Sequence, residues 1–454
     1  MEFANKKMLV VGAGISGIAA AKVAKKFGAS VVLSDAKAEK DIKFDLEELR
    51  TLGIEVVLGK QEAALLTGVD IVLLSPVVPM RIPFVQEALK RGIEVMSEIE
   101  MAWRLAKAPI YAVTGTNGKT TTVTLLGLLM ETLYDKVGVG GNIGTPLCDE
   151  VLRVGSEGCT VAEISSYQLE ASEGFNPHIA AILNVTPDHV VRHGSIEVYQ
   201  ACKEKIFAHH TKDDFLVLNY DNDRTRSMAE RAESTVFFFS RSERFREGAF
   251  LDGDMLVIAS GGKQYDLCTV DELGIKGAHN VENALAASAV AFLAGADPQK
   301  MAAVLKSFGG VEHRIEPVRS IDGVPYYNDS KATNTDSAIK ALETFPDHIV
   351  LIAGGDDKLT DLKVFMKLVV ERVDELILVG NAAERFRKAA LDQGFEAAHI
   401  HEAGYSMPKA VELAHELAHA PQVVLLSPAC ASFDMFGDYE ERGRVFKKLV
   451  RELK

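Results

Sequence analysis

The sequence predicts an α/β protein of three domains, and three observations carry that prediction. Gly12-Ala13-Gly14-Ile15-Ser16-Gly17 follows the apolar run Met8 to Val11 and opens a helix-like run to about Phe27. A second glycine-rich turn, Thr114-Gly115-Thr116-Asn117-Gly118-Lys119-Thr120-Thr121, leads from Ile110 to Val113 into a helical run from Thr120 to Leu133. Along the rest of the chain short apolar runs alternate with helical ones, the pattern of parallel strands covered by helices on both faces.

The 454 residues exceed what one core organises and suggest about three domains. The expected division is 1–97, 98–310 and 311–454. Apolar residues make up 47% and charged residues 25%, the balance of a soluble globular chain. A net charge of −14 argues against a nucleic-acid groove. No apolar run approaches the ~20 residues needed to span a bilayer, and no signal peptide is read where Lys6 and Lys7 enter the first strand. Cys148, Cys159, Cys202, Cys268 and Cys430 are scattered without a Cys-x-x-Cys pair, as in reduced cytoplasmic proteins.

The first domain reads as Rossmann-like. A strand from Ser30 to Ser34 ends at Asp35, an acid 18 residues after the third glycine of the fingerprint. Further strands are read at Glu55 to Leu58, Asp70 to Ser75 and Glu94 to Met96. Such a turn suits a diphosphate on a helix N-terminus, whether of a dinucleotide or of a nucleotide sugar.

The second domain holds the Thr114–Thr121 turn and reads as P-loop ATPase-like. Its glycines let backbone N–H groups face a phosphate, Lys119 reaches outer phosphates, and a hydroxyl can hold Mg²⁺. The usual pattern has glycine five residues before the Gly-Lys pair, where this chain has Val113, so the turn is a shorter variant. Strands are read at Thr160 to Ile164, Ile179 to Val185, Phe215 to Asn219 and Thr235 to Ser240, with a turn at Asp252-Gly253-Asp254 and a helix from Val281 to Ala294. The third domain, again Rossmann-like α/β, has strands at Val324 to Tyr327, His348 to Ala353, Glu375 to Val379 and Val423 to Ser427.

Several polar groups interrupt this pattern. Glu163 lies inside an apolar strand, and a buried carboxylate is costly unless paired or metal-bound. Asp188 and His189 follow another strand at the edge where open α/β sheets bind ligands. His313-Arg314 and the stretch Asn328 to Asn334 bring a guanidinium fork, an amine, an acid and hydroxyls together. Ser427 to Asp434 is a hydroxyl-rich loop suited to a carboxylate, in which Cys430 reads as a structural thiol. Composition alone makes Lys203 a solvated lysine.

Eight ordered stretches resemble the Mur ligase family: TGTNGKTT (114–121), GGNIG (140–144), AEISSYQLE (162–170), NVTPDH (184–189), AHNVENALAA (278–287), HRIE (313–316), NDSKATN (328–334) and SPACASFD (427–434). The resemblance implies ATP-dependent addition of D-glutamate to UDP-N-acetylmuramoyl-L-alanine for peptidoglycan, in a cytoplasmic monomer with ATP and two Mg²⁺ ions as cofactors. By that resemblance ATP meets Gly115, Thr116, Asn117, Gly118, Lys119, Thr120, Thr121, Asn280, Asn283, Arg314 and Asp329, with metal at Thr120, Glu163, His189 and a carbamylated Lys203. The nucleotide sugar meets Gly14, Ile15, Ser16, Asp35, Ala36, Ser75, Asn142, Ser165 and Gln168, and D-glutamate meets Lys331, Thr333, Lys358, Ser432, Phe433 and Tyr439. His313 and Lys331 join the implied catalytic set. Two positions depart from the family pattern: Val191 stands where an acid is usual, and Val77 where glycine is usual after Ser75-Pro76.

The implied reaction has two steps. The alanyl carboxylate attacks the γ-phosphorus of ATP to give an acyl phosphate and ADP; the amine of D-glutamate then displaces phosphate. Three other readings stay open at this point: a NAD-dependent dehydrogenase, a Mur or folylpolyglutamate-type ligase for another amino acid, and a nucleotide-binding scaffold without catalysis.

Overall fold

Strands that are apolar at every position need cover on both faces, and those of this chain take the inner places of its sheets. The computed structural model describes residues 2–453 apart from Lys43, Lys60, His189 and Lys358, with the backbone alone for Val190, Val191 and Asp336. The chain forms two compact units. One comprises Met1–Leu273 with Val281–Ser307, the other Gly274–Asn280 with Phe308–Lys454.

The first unit contains two sheets. Strands β1 (Lys7–Val11), β2 (Ser30–Asp35), β3 (Glu55–Leu58), β4 (Ile71–Leu74) and β5 (Glu94–Ser97) make an all-parallel sheet in the order β3-β2-β1-β4-β5. The chain reverses its direction of winding between β1 and β4, which opens a crevice beyond their C-terminal ends. Helix Ile15–Lys26 starts at that crevice and is buried along an alanine-rich face, with Lys25 and Lys26 at its carbonyl end. Gly17 is needed for its packing, because a Cβ there would lie 1.9 Å from the Gly12 carbonyl oxygen.

The second sheet has nine strands: β6 (Ile110–Thr114), β7 (Val137–Gly141), β8 (Cys159–Glu163), β9 (Ile179–Ile182), β10 (Phe215–Asn219), β11 (Thr235–Ser240), β12 (Gly248–Asp252), β13 (Met255–Ser260) and β14 (Lys263–Thr269). Their order is β14-β13-β12-β11-β10-β9-β6-β8-β7. Seven run parallel, and β12-β13-β14 form an antiparallel meander whose first turn is Asp252-Gly253-Asp254. β6 lies between β8 and β9, with Val113 beside Glu163 and Thr114 beside Ile182. That register gathers the exits of three strands around the second glycine turn.

The second unit is built on β15 (Glu316–Ile321), β16 (Val324–Asn328), β17 (Ile349–Gly354), β18 (Val373–Val379), β19 (Ile400–Gly404) and β20 (Val423–Leu426), in the order β15-β16-β20-β17-β18-β19. All pairs are parallel except β15 with β16. Asn328 pairs with Leu426, so the loops Asp329 to Asn334 and Ser427 to Asp434 leave neighbouring strands side by side. The three-domain α/β architecture expected from the sequence is therefore present as three mainly parallel sheets. All five cysteines are free and buried. Among the described residues no helix is long and apolar enough to cross a membrane.

Candidate functional site

The turn after β6 is shaped by neighbours as well as by its own glycines. Gly118 has φ +86°, and a Cβ there would meet Asn283 Oδ1 at 2.3 Å; only glycine fits. It caps helix Lys119–Met130, which directs its N-terminal N–H groups into the turn. Asn184, just beyond β9, accepts from the backbone N–H of Thr116 (3.1 Å) and Asn117 (2.9 Å) and donates to the Asn117 carbonyl (3.2 Å). Tyr199 donates its hydroxyl hydrogen to Thr116 Oγ1 at 3.3 Å. Lys119 folds over the turn, its Nζ 2.9 Å from the carbonyl oxygens of both Gly115 and Thr116. The result is a stiff loop with a lysine and a helix terminus converging on one point, a geometry that can hold a polyphosphate.

Glu163 ends β8 beside this turn and is 2% exposed. Its Oε1 accepts from Asn142 Nδ2 at 2.8 Å. Its Oε2, with the hydroxyl oxygens of Thr121 and Thr186, is buried without a hydrogen-bond partner among the described residues. A carboxylate oxygen left bare at a sheet edge fits the demand of a hard divalent cation for oxygen ligands. Glu163, with Thr120 at the start of the helix, could hold one. His189 lies outside the described residues.

Lys203 is not the solvated lysine that composition suggests. It is 1% exposed, donates to the Gly115 carbonyl at 2.8 Å and Thr114 Oγ1 at 3.4 Å, and stands 4.5 Å from the Tyr199 ring centre. Burial first, and the nearby Lys119 cation second, push its amine well below the ordinary lysine range. The reason is tertiary: helix Ile196–Glu204 packs this face behind the phosphate turn.

The fingerprint turn of the first sheet borders a cavity of about 350 Å³ lined in part by Gly14, Asp35, Ala36, Val77 and Val78. Asp35 accepts from the N–H groups of Ala13 and Lys37, both at 2.8 Å, and so fixes the shape of the turn. Ile15 and Ser16 begin the helix at its rim. Ser75 is buried behind it and donates to the Gly12 carbonyl at 3.1 Å. Ser165 and Gln168 form a reciprocal capping box at the start of helix Ser166–Glu170, with Gln168 buried. Val77 lies outside the left-handed region, so its backbone accommodates valine, and its side chain is 75% exposed.

In the second unit the two adjacent loops form a second cluster. Asp329 is buried, accepts from Ser427 Oγ at 2.7 Å and from the Ile315 N–H at 3.2 Å, and is pushed up to about 7 by burial. His313 Nδ1 is 2.9 Å from Asn328 Nδ2, and burial lowers its pKa. The Lys331 ammonium donates to the Tyr439 hydroxyl at 3.1 Å. Thr333 follows on the same loop, while Ser432 is buried and Phe433 is 66% exposed on the neighbouring one. Lys358 lies outside the described residues. Arg314 and Asn280 belong to this unit, Asn283 to the first. The Cys430 thiol is buried and pushed up to about 12, which suits the structural role read from sequence.

Sequence reasoning missed two residues that shape these clusters. Asn184 opens the NVTPDH stretch, and a polar amide at a strand exit is the available signal. Arg442 is 2% exposed and donates to Ser330 Oγ, the Ser330 carbonyl, and the carbonyls of Cys430 and Ala431, binding the two loops together. Nothing in the polar helix Tyr439–Glu452 marks it in advance.

A phosphate turn, a bare carboxylate oxygen beside it and two further α/β sheets define a nucleotide-using protein of several parallel-sheet domains. Comparison with known proteins refines that class. Residues 6–97 match the Mur ligase MurD-like N-terminal domain, 113–291 the Mur ligase middle domain, and 313–430 the Mur ligase glutamate ligase domain. The chain is 46% identical over 454 residues to the UDP-N-acetylmuramoylalanine–D-glutamate ligase of Thermoanaerobacter pseudethanolicus, covering 100% of both chains. It is 45% identical over 453 residues to the ligase of that name from Pelotomaculum thermopropionicum, covering 100% of this chain and 99% of the relative. Among solved structures it resembles the UDP-N-acetylmuramate-alanine ligase of Thermotoga maritima in fold, with a TM-score of 0.60, 20% identity, and coverage of 99% and 100%. The chain belongs to the Mur ligase family.

Proposed function

We infer that this chain is an ATP-dependent ligase that joins D-glutamate to UDP-N-acetylmuramoyl-L-alanine in peptidoglycan precursor synthesis. The observation that carries the reading is full-length identity of 45–46% to relatives bearing that name. The phosphate turn and the bare Glu163 oxygen supply chemistry such a ligase needs.

In this reading the domains are 1–97 for the nucleotide sugar, 98–310 for ATP and 311–454 for D-glutamate. Gly115 to Thr121 and Asn283 hold ATP, joined by Asn280, Arg314 and Asp329. Lys119 and Arg314 draw charge from the γ-phosphoryl group as the alanyl carboxylate attacks it. The D-glutamate carboxylates are held by Lys331, Thr333, Lys358 and Ser432, beside Phe433 and Tyr439, which brings the amine to the acyl phosphate. Thr120, Glu163, His189 and a carbamylated Lys203 would hold Mg²⁺, which would supply charge neutralisation of the phosphates. His313 orients the Lys331 loop, whose backbone N–H bonds its carbonyl at 3.0 Å. The nucleotide sugar lies on Gly14 to Ser16, Asp35, Ala36 and Ser75, and reaches Asn142, Ser165 and Gln168. Five unpaired cysteines support a cytoplasmic setting.

Phosphate release from ATP, measured with UDP-N-acetylmuramoyl-L-alanine and either D- or L-glutamate, tests this reading. Turnover is expected with the D-isomer. Turnover with L-glutamate alone overturns the specificity, and no turnover with either overturns the function.

A further inference from the structure

Arg192 stands three residues beyond His189, on the short helix Val190–His193. Its side chain is only 11% exposed. Nη1 donates to the Val77 carbonyl at 3.1 Å, and Nη2 to the carbonyls of Pro76 at 3.2 Å and Val78 at 3.1 Å. The other edge of the guanidinium grips Glu170, with Nε 2.9 Å from Oε1 and Nη2 2.7 Å from Oε2. Its plane lies 4.8 Å from the Tyr167 ring centre. The attachment is mutual, because Arg81 Nη1 donates back to the Arg192 carbonyl at 2.6 Å.

One residue thus fastens both ends of the segment from Pro76 to Arg81. That segment supplies Val77 and Val78 to the wall of the 350 Å³ cavity that also contains Gly14 and Asp35. Three successive carbonyl oxygens drawn onto a guanidinium are not free to turn toward the cavity, where their dipoles would oppose an anionic ligand. Glu170, which balances the arginine, closes the helix that begins with the Ser165–Gln168 capping box.

We propose that Arg192 is a positioning residue for the nucleotide sugar, holding the Pro76–Val78 wall of its cavity in place from the segment that carries His189. The proposal rests on the functional reading above and deepens it, since it assigns control of one substrate's affinity to a residue outside the implied contact set. Lysine cannot replace the fork: it has charge, but no planar array that serves three carbonyls and a carboxylate together.

The test is steady-state kinetics of Arg192→Lys and Arg192→Gln, with each of the three substrates varied in turn. The KM for UDP-N-acetylmuramoyl-L-alanine is expected to rise roughly ten- to hundredfold, as loss of charged hydrogen bonds implies, while those for ATP and D-glutamate stay within about twofold. Arg81→Ala, which removes only a surface attachment, should raise the same KM by a smaller factor and keeps the test alive if the arginine variants misfold. An unchanged nucleotide-sugar KM in these variants, or a parallel rise in all three constants, overturns the proposal. Calorimetric titration of wild type and Arg192→Lys with UDP alone separates this failure from that of the functional reading. Weaker UDP binding in the variant supports the wall even if no ligase turnover is found, and equal binding overturns it.

Discussion

The side-chain amide of Asn142 donates to one carboxylate oxygen of Glu163 at 2.8 Å, and the other is buried without a partner among the described residues. The first oxygen is aimed by the GGNIG loop, and Gly141 pairs with Glu163 across the sheet to keep it there. The second is available to a cation. A lone buried acceptor costs about 1–3 kcal/mol, which the fold tolerates at functional positions.

Glu163→Gln is therefore expected to separate stability from activity. The glutamine keeps an acceptor for Asn142 and removes the charge, so melting temperature should hold or rise. Turnover should fall by roughly 10²–10³, the scale of losing a preorganised electrostatic partner. Phosphate release and a thermal melt of the same sample check both halves; an active variant would remove Glu163 from cation binding.

Asn184→Ala should loosen the phosphate turn. The Asn117 N–H loses its acceptor and the Asn117 carbonyl loses a donor, while the Thr116 N–H keeps only the Asn184 backbone carbonyl at 3.0 Å. A destabilisation of about 1–3 kcal/mol follows from groups left unsatisfied. Affinity for ATP should weaken by roughly tenfold, because N–H groups no longer held in place are costly to organise on binding. Titration with a fluorescent ATP analogue reads the affinity, and unaltered binding would show that the glycine backbone alone sets the turn.

Lys203 makes a chemical prediction. Its depressed basicity favours the neutral amine, the form that adds CO₂, and a carbamate nitrogen would retain an N–H for the Gly115 carbonyl. Wild-type protein supplied with ¹³C-bicarbonate should show a carbamate resonance that is missing in Lys203→Arg. The arginine variant should lose activity by roughly 10²-fold if the added anion serves the reaction. Full activity in that variant would sink the carbamate reading.

Much of the fold was legible because its central strands are local, apolar and bounded by glycine or polar turns. Glu55–Leu58, Phe215–Asn219 and Thr235–Ser240 were read with the bounds they adopt. The meander β12-β13-β14 was reduced to its first turn, since alternating α/β units were expected and the first half of Lys263–Thr269 is mostly exposed with few apolar anchors. β15 and β19 were missed for a related reason: edge strands bury only alternate or terminal residues, and Pro317 interrupts the first. The phosphate turn was visible because its chemistry is contiguous. The burial of Lys203 was not, because it depends on Thr114 and Gly115, 89 and 88 residues away.

Asp329 gives the second unit a defined pH response. Burial raises its pKa from 3.8 to about 7, outweighing the Ser427 hydrogen bond and the Arg314 charge that pull it down. Between pH 4 and pH 7, roughly, the native carboxyl keeps a proton that the unfolded chain has released. The native state then binds more protons, so stability falls as pH rises through that window, and the full penalty applies above it. A shift of this size is on the order of 4 kcal/mol. Asp329→Asn keeps the shape and cannot ionise, so its melting temperature should decline less than that of wild type from pH 4.5 to pH 8, roughly the span of the shift. Glu98, also raised to about 7 by burial, adds a slope shared by both proteins, and the difference between them isolates Asp329. Parallel melting curves across the range would mean that Asp329 is ionised in the folded protein at every pH tested, with Ser427 and Arg314 dominating its burial.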